Sequence, residues 1–394
     1  MGVLTLLFIL LPTAAALVTG CRGGTGEAEQ IVLGIEREPL PFRLMRGKLT
    51  ALPTHDPSSR ELFQVDLRSY DLSDLDLTDR LTDLLWADFD SRTTWPEALP
   101  DRFDPDLIME LGKDPGLGLR ELHAQGITGQ GIGVAILDQP LIVDHVEYGE
   151  RLKHYEERLV STPHAHMHGP AVASIAVGKN VGVAPGADLY YIATDGPNTS
   201  SLAAKAIEKF LAINRTLPPE RRIRAISISS GLGDGQIRGL VERAAEQGVL
   251  VITAGRSWTH GLPIRYHGLE RAPLADPADH DNYRPVDFGY CPQDSRPKPP
   301  KTILFVPMHS RCVAGPSGPD DYAFYRSGGW SWCVPYIAGL YALACQVDPD
   351  MDPQTFYDTA MATGHPIDIG YLEPDAQAVI VNPVKLIEAI ATGR

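Results

Sequence analysis

From about residue 118 onward the chain alternates between two rhythms of apolar positions. Segments 133–137, 187–193, 223–228 and 249–253 are short, nearly unbroken apolar runs, the pattern of strands whose sheet is covered on both faces. Between them, 170–177, 202–213 and 236–247 repeat their apolar residues at helical spacing. Such alternation predicts right-handed crossovers and an α/β fold: a mostly parallel central sheet with helices on both faces. The run 302–307 reads as a further strand and 336–345 as a buried helix. Residues 257–300, rich in Pro, Asp and Tyr, break the pattern and are expected to form a long surface insertion near the site.

The region before residue 118 obeys a different rule. Leu62, Leu67, Leu72 and Leu77 recur every fifth residue, and Asp66, Asp71 and Asp76 precede the last three. This spacing resembles a pentapeptide-type coil, but one short stretch cannot stack many turns, so an acidic capping segment docked on the main domain is the expectation. It occupies the place of a propeptide without obviously resembling one. Residues 22 to about 50, with Gly, Glu and Arg and weak periodicity, read as a linker.

At the start, the apolar run from Val3 to Val18 is shorter than the ~20 residues of a spanning helix and suits a signal-peptide core. It ends in Val18-Thr19-Gly20-Cys21, which resembles a bacterial lipoprotein cleavage box with Cys21 as the lipidated residue. No Lys or Arg precedes it, so only the terminal amine supplies the positive start. The expected organisation is a lipoprotein-like signal peptide at 1–21, a linker and acidic Leu/Asp segment at 22–117, and one large domain at 118–394. The expected location is extracytoplasmic, with the protein held on the outer face of a membrane by lipid on Cys21.

Composition narrows the partners. A formal charge of −15 repels phosphate backbones and no basic cluster offsets it, so nucleic acid is not an expected partner. Thirty-seven glycines and 33 prolines indicate a loop-rich protein. Cys333 and Cys345 fall on one predicted helix, about 18 Å apart, too far to bridge each other. Cys291 and Cys312 flank the 302–307 strand and could pair in an oxidising compartment, a pairing that sequence alone does not fix.

Three segments place a polar residue at a strand or helix end, where open α/β sheets carry their sites. Val134-Ala135-Ile136-Leu137-Asp138 is an apolar strand ending in an acid; His168-Gly169-Pro170-Ala171-Val172-Ala173 opens a helix of small residues; Gly329-Trp330-Ser331-Trp332-Cys333-Val334-Pro335 leads into the apolar helix. Taken singly, each polar residue also reads as a turn, core or capping residue. A second pattern, His164, His166 and His168 in alternation, would share one face of a strand as metal ligands, but no acidic or cysteine partner is evident.

Together with the turn Gly182-Val183-Ala184-Pro185, these segments resemble the subtilisin-like serine peptidases over roughly residues 118–348. The resemblance implies a subtilisin-like α/β domain, a peptide or protein substrate, and a triad of Asp138, His168 and Ser331 in the family's order. Ser229-Ser230-Gly231 resembles the family's substrate-binding edge. The triad chemistry needs no cofactor; calcium, common in the family, has no readable loop here. The sequence departs from the family pattern in several places. Gln139-Pro140 follows the aspartate, Ala171 replaces a second histidine, and Trp330 and Trp332 flank the serine and are expected to make its pocket either crowded or strongly apolar. Arg256 stands where the family's oxyanion asparagine would be, which leaves Arg256, Asn282 or His260 as candidate second donors. The alternative implied by that loss is a catalytically impaired domain that binds peptides or a surface partner.

Overall fold

The computed structural model describes residues 37–41, 46–59, 61–195, 199–232, 234–254, 265–286, 302–369 and 377–393. The signal-like segment with Cys21 and the positions Cys291, Arg256 and His260 lie outside the described residues.

The central sheet has the predicted parallel form. Its described strands are β4 (Leu152–Glu157), β5 (Asp188–Ala193), β3 (Gly133–Asp138), β6 (Ile223–Ile228) and β7 (Leu250–Thr253), in that spatial order, every pair parallel. Side chains alternate along β3: Val134 and Ile136 enter one core, Ala135 and Leu137 the other. On the first face pack α4 (His168–Val177) and α7 (Trp330–Val347); on the second, α5 (Ser200–Asn214) and α6 (Asp234–Ala245). No helix among the described residues is long and apolar enough to cross a membrane.

The expected surface insertion is corrected in part. Within 257–300, β8 (Tyr266–Arg271) and β9 (Tyr283–Pro285) join β10 (Thr302–Pro307), β14 (Gln377–Ile380) and β13 (His365–Pro366) in a second sheet, with β8 and β14 both parallel to β10. Polar residues in β8 hid it from an apolar pattern. They are buried because their groups are satisfied: the Arg271 guanidinium donates to the carbonyls of Ala272, Pro273 and Ser310.

The Leu/Asp segment forms short stacked rungs. Lys48 bridges Asp71 and Asp71 bridges Thr94, all parallel, while β1 (Val65–Asp66) pairs with β2 (Ala87–Asp90). The aspartates make the corners. Asp66, Asp71 and Asp76 each accept the backbone N–H two residues on, from Arg68, Ser73 and Thr78, as short carboxylates do in turns. The leucines that follow, Leu67, Leu72 and Leu77, are buried, whereas Leu62 lies before the first corner and is exposed.

Docking of this segment goes further than surface contact. β2 pairs antiparallel with β12 (Tyr322–Tyr325), which pairs with β11 (Arg311–Ala314), so the rungs share one sheet with the large domain. Phe324 on β12 packs on Phe89 with ring centroids 5.2 Å apart and closes the core formed by Leu67, Leu72 and Leu77. Helix α2 (Pro105–Lys113) covers it so closely that a Cβ on Gly112 would stand 2.9 Å from the Phe324 ring. Cys312 on β11 is a buried thiol with its sulfur 3.1 Å from that of Met109, and its expected partner Cys291 lies outside the described residues.

Phe324→Ala is expected to lower unfolding stability by about 3–5 kcal/mol, the cost of an aromatic cavity in a closed core. Urea unfolding followed by circular dichroism checks this; a loss under about 1 kcal/mol would mean the segment is merely apposed.

Candidate active site

Asp138 is the last residue of β3, and its parallel neighbour β6 ends one residue earlier in register, with Leu137 opposite Ile228. The next residues, Asp138 and Ser229, therefore leave the sheet side by side, at the ~4.8 Å spacing of neighbouring strands. Asp138 is almost fully buried, yet its carboxylate is satisfied. Oδ1 accepts the Gln139 backbone N–H at 2.7 Å and faces His168 Nδ1 at 2.6 Å. That first bond needs only a residue with an N–H, which is why Gln139 is tolerated there.

His168 is brought to the aspartate by the start of α4. The helix end sits so close to the 139–140 turn that a Cβ on Gly169 would fall 2.1 Å from the Gln139 carbonyl oxygen. No other residue type fits. Tyr191 Oη donates to the same carbonyl at 2.5 Å, and the His166 N–H donates to the Pro140 carbonyl at 2.8 Å, fixing both sides of the turn. Burial disfavours the imidazolium, but the Asp138 charge and hydrogen bond outweigh it and raise the His168 pKa above its ordinary value.

Ser331 is the second residue of α7, after the extended N-cap Gly329. In the first turn its backbone N–H has no helical acceptor and the helix end favours negative charge. Its carbonyl would ordinarily accept from the residue four positions on, but that residue is Pro335, which has no N–H. Ser229 fills the vacancy. Ser229 Oγ donates to the Ser331 carbonyl at 2.7 Å, and Ser331 Oγ donates back to the Ser229 carbonyl at 3.3 Å. This reciprocal pair ties the serine to the end of β6, beside Asp138.

The remaining expected positions divide. The Ser230 carbonyl accepts from Ala254 N–H, and Gly231 is exposed. Asn282 is corrected: its amide donates to the Asp276 carbonyl in the turn before β9, and its neighbour Tyr283 pairs with Arg271. His267, which touches Trp330, lies four residues from Arg271 along β8, about 13 Å at strand spacing. Asn282 is therefore not brought to Ser331. The expected crowding by Trp332 is also corrected, since it turns into the core edge-on to Tyr325 at 5.0 Å. Trp330 is half-buried and donates its indole N–H to His267 Nε2 at 3.2 Å. Burial pushes the His267 pKa down to about 4, so the ring stays a neutral acceptor.

The three alternating histidines do not form one ligand set. His164 faces Glu38 at 3.4 Å, His166 faces Asp195 at 3.4 Å, and His168 faces Asp138. Among the described residues no cluster of three His, Cys, Asp or Glu side chains could hold a metal ion. The role of Ser229 in holding the serine was missed in the sequence, although Pro335 four residues after Ser331 was the signal for it.

Comparison with known proteins agrees with this geometry. The subtilase family model matches residues 129–282. The subtilisin-like protease PopC of Myxococcus xanthus is 27% identical over 274 residues, covering 59% of this chain and 55% of PopC, so the match spans about half the length of that relative. The solved structure of the prenylagaramide maturation protease PagA superposes with a TM-score of 0.52 at 19% identity, over 69% of this chain and 98% of that one, which establishes the fold. In its parallel sheet, the order of its motifs and these matches, the chain is similar to the subtilisin-like proteases, and its residues 129–282 match the model of the subtilase family.

Proposed function

We propose that the protein is a serine endopeptidase that cleaves peptide bonds through an acyl-enzyme on Ser331. The observation that carries this reading is the 2.6 Å Asp138–His168 pair, set at the same sheet end that holds Ser331 through Ser229. Asp138 fixes the imidazole with Nδ1 as donor, which leaves Nε2 as the base.

In the proposed reaction His168 Nε2 takes the Ser331 proton as Oγ bonds to the peptide carbonyl carbon. The resulting oxyanion is met by the Ser331 backbone N–H at the positive end of α7. Collapse breaks the carbon–nitrogen bond, and the imidazolium returns its proton to the leaving amine. Water, deprotonated by the same imidazole, then releases the acid and restores Ser331. Before any of this Ser331 Oγ must leave the Ser229 carbonyl, a single side-chain rotation. A substrate strand would run beside Ser230 and Gly231.

The second reading is a peptide-binding module with impaired chemistry, and it is favoured by one observation: in this state Ser331 Oγ bonds to Ser229. A fluorophosphonate probe separates the two, because it reacts only with an activated serine. Labelling should map to Ser331 in the wild type. Ser331→Ala, His168→Ala and Asp138→Ala should each lower peptide turnover by roughly 10⁴- to 10⁶-fold while keeping the fold, and pairs should cost little more than singles. A folded wild type that resists the probe would establish the binding reading instead.

The pH profile follows from the histidine. A protonated His168 cannot accept the serine proton, and Asp138 holds its pKa above the ordinary ~6.5. Labelling rate should therefore rise with pH to a half-maximum above ~6.5. In Asp138→Asn the raising charge is gone and burial remains, so the much slower residual rate should titrate at lower pH than in the wild type. An unshifted or upward-shifted inflexion would contradict the assignment.

A further inference from the structure

We propose that the stacked rungs of the N-terminal segment are a permanent clamp on the main chain leading to Ser331, with Asp88 of β2 as the positioning residue. This rests on the reading of Ser331 as nucleophile.

Sheet pairing of β12 ends at Tyr325, where it faces Arg311. The chain must then turn through residues 326–329 to reach α7, and its buried N–H groups have no strand beside them. Two side chains supply the acceptors. Asp88, 1% exposed, accepts the Arg326 N–H at 2.8 Å and also that of Ser327. His309 Nδ1 accepts the next one, from Gly328, at 3.0 Å. His309 is dependable in that role because burial and the nearby Arg326 charge push its pKa down to about 3 and keep the ring neutral. The turn has little room to shift, since a Cβ on Gly328 would lie 2.3 Å from the Met308 carbonyl oxygen.

Two of these three donors depend on a residue contributed from outside the large domain. The same segment grips the adjoining side chains. Arg68 donates to Tyr325 Oη at 2.6 Å, and the Trp86 ring lies 4.1 Å below the Arg326 guanidinium carbon. Removing the segment would leave N–H groups unpaired four and five residues before the serine, in addition to exposing Phe324. A segment placed like a propeptide thus behaves as part of the working site. Since burial lifts the Asp88 carboxyl to about 7, an uncharged acceptor of the same shape should serve nearly as well.

The test compares the full chain with Asp88→Ala, Asp88→Asn, Trp86→Leu and, as a control, Leu62→Ala on an exposed position. Hydrogen–deuterium exchange of the 326–331 amides reads the clamp whether or not Ser331 reacts, and probe labelling with kcat and KM reads its consequence. Asp88→Ala should speed exchange at 326–327 and lower labelling and kcat on the order of ten- to a hundred-fold with KM little changed, as expected for a misplaced nucleophile. Asp88→Asn should restore most of both. If Asp88→Ala does not fold, the half-buried Trp86→Leu should show the same direction with smaller amplitude, and Leu62→Ala should show neither effect. Unchanged exchange at 326–327 in folded Asp88→Ala or Trp86→Leu would overturn the clamp, as would faster exchange without slower labelling. A protected 326–331 segment in a wild type that takes no label would instead count against Ser331 as nucleophile.

Discussion

The contact between Asp138 and His168 sets the terms for the rest of the molecule. A carboxylate buried at the end of a parallel strand is tolerable only if its oxygens are hydrogen-bonded, and here the donors are one backbone N–H and one imidazole. Bringing that imidazole in requires α4 to approach the 139–140 turn more closely than any side chain allows, so Gly169 follows His168. The same packing aligns α4 with α7, which carries Ser331 across the same face of the sheet. The 2.6 Å bond is thus both a condition of burial and a source of the raised histidine pKa on which the proposed chemistry draws.

The serine side is built on a different device. Pro335 strips the Ser331 carbonyl of its helical partner, and the hydroxyl of Ser229 replaces it. Because Ser229 follows β6 and Asp138 ends β3, two parallel strands in register bring the acid and the serine together without direct contact between them. Each half tolerates change in its neighbours. Gln139 serves through its backbone, and Trp332 is absorbed by the core against Tyr325.

How much of this was legible in the sequence follows from where burial is complete. Four strands of the central sheet, β3, β5, β6 and β7, are apolar runs and were readable within a residue or two, whereas the edge strand β4, with Lys153, His154, Glu156 and Glu157 only half-buried, was not. Asp138, His168 and Ser331 stood out because each interrupts such a run at its end. β8 was not readable, because its burial depends on satisfied polar groups such as those of Arg271. Asn282 looked available for the site, but strand register places it at the far end of β8 from His267. Asp88 was invisible for a related reason. Within Ala87-Asp88-Phe89-Asp90 it reads as surface acid, and only the pairing of β2 with β12, more than 230 residues away in sequence, turns it toward the chain before Ser331. The five-residue leucine spacing did report its cause, since the intervening aspartates make the corners.

The central claim, that Ser331 performs covalent catalysis under Asp138 and His168, is tested most directly by trapping the intermediate. A peptide ester is mixed with the full chain, quenched in acid within milliseconds, and the adduct located by peptide mass mapping. The account predicts one acyl group on Ser331, formed before steady-state product release and absent from Ser331→Ala. Hydrolysis without any adduct, or an acyl group on another residue, would contradict it.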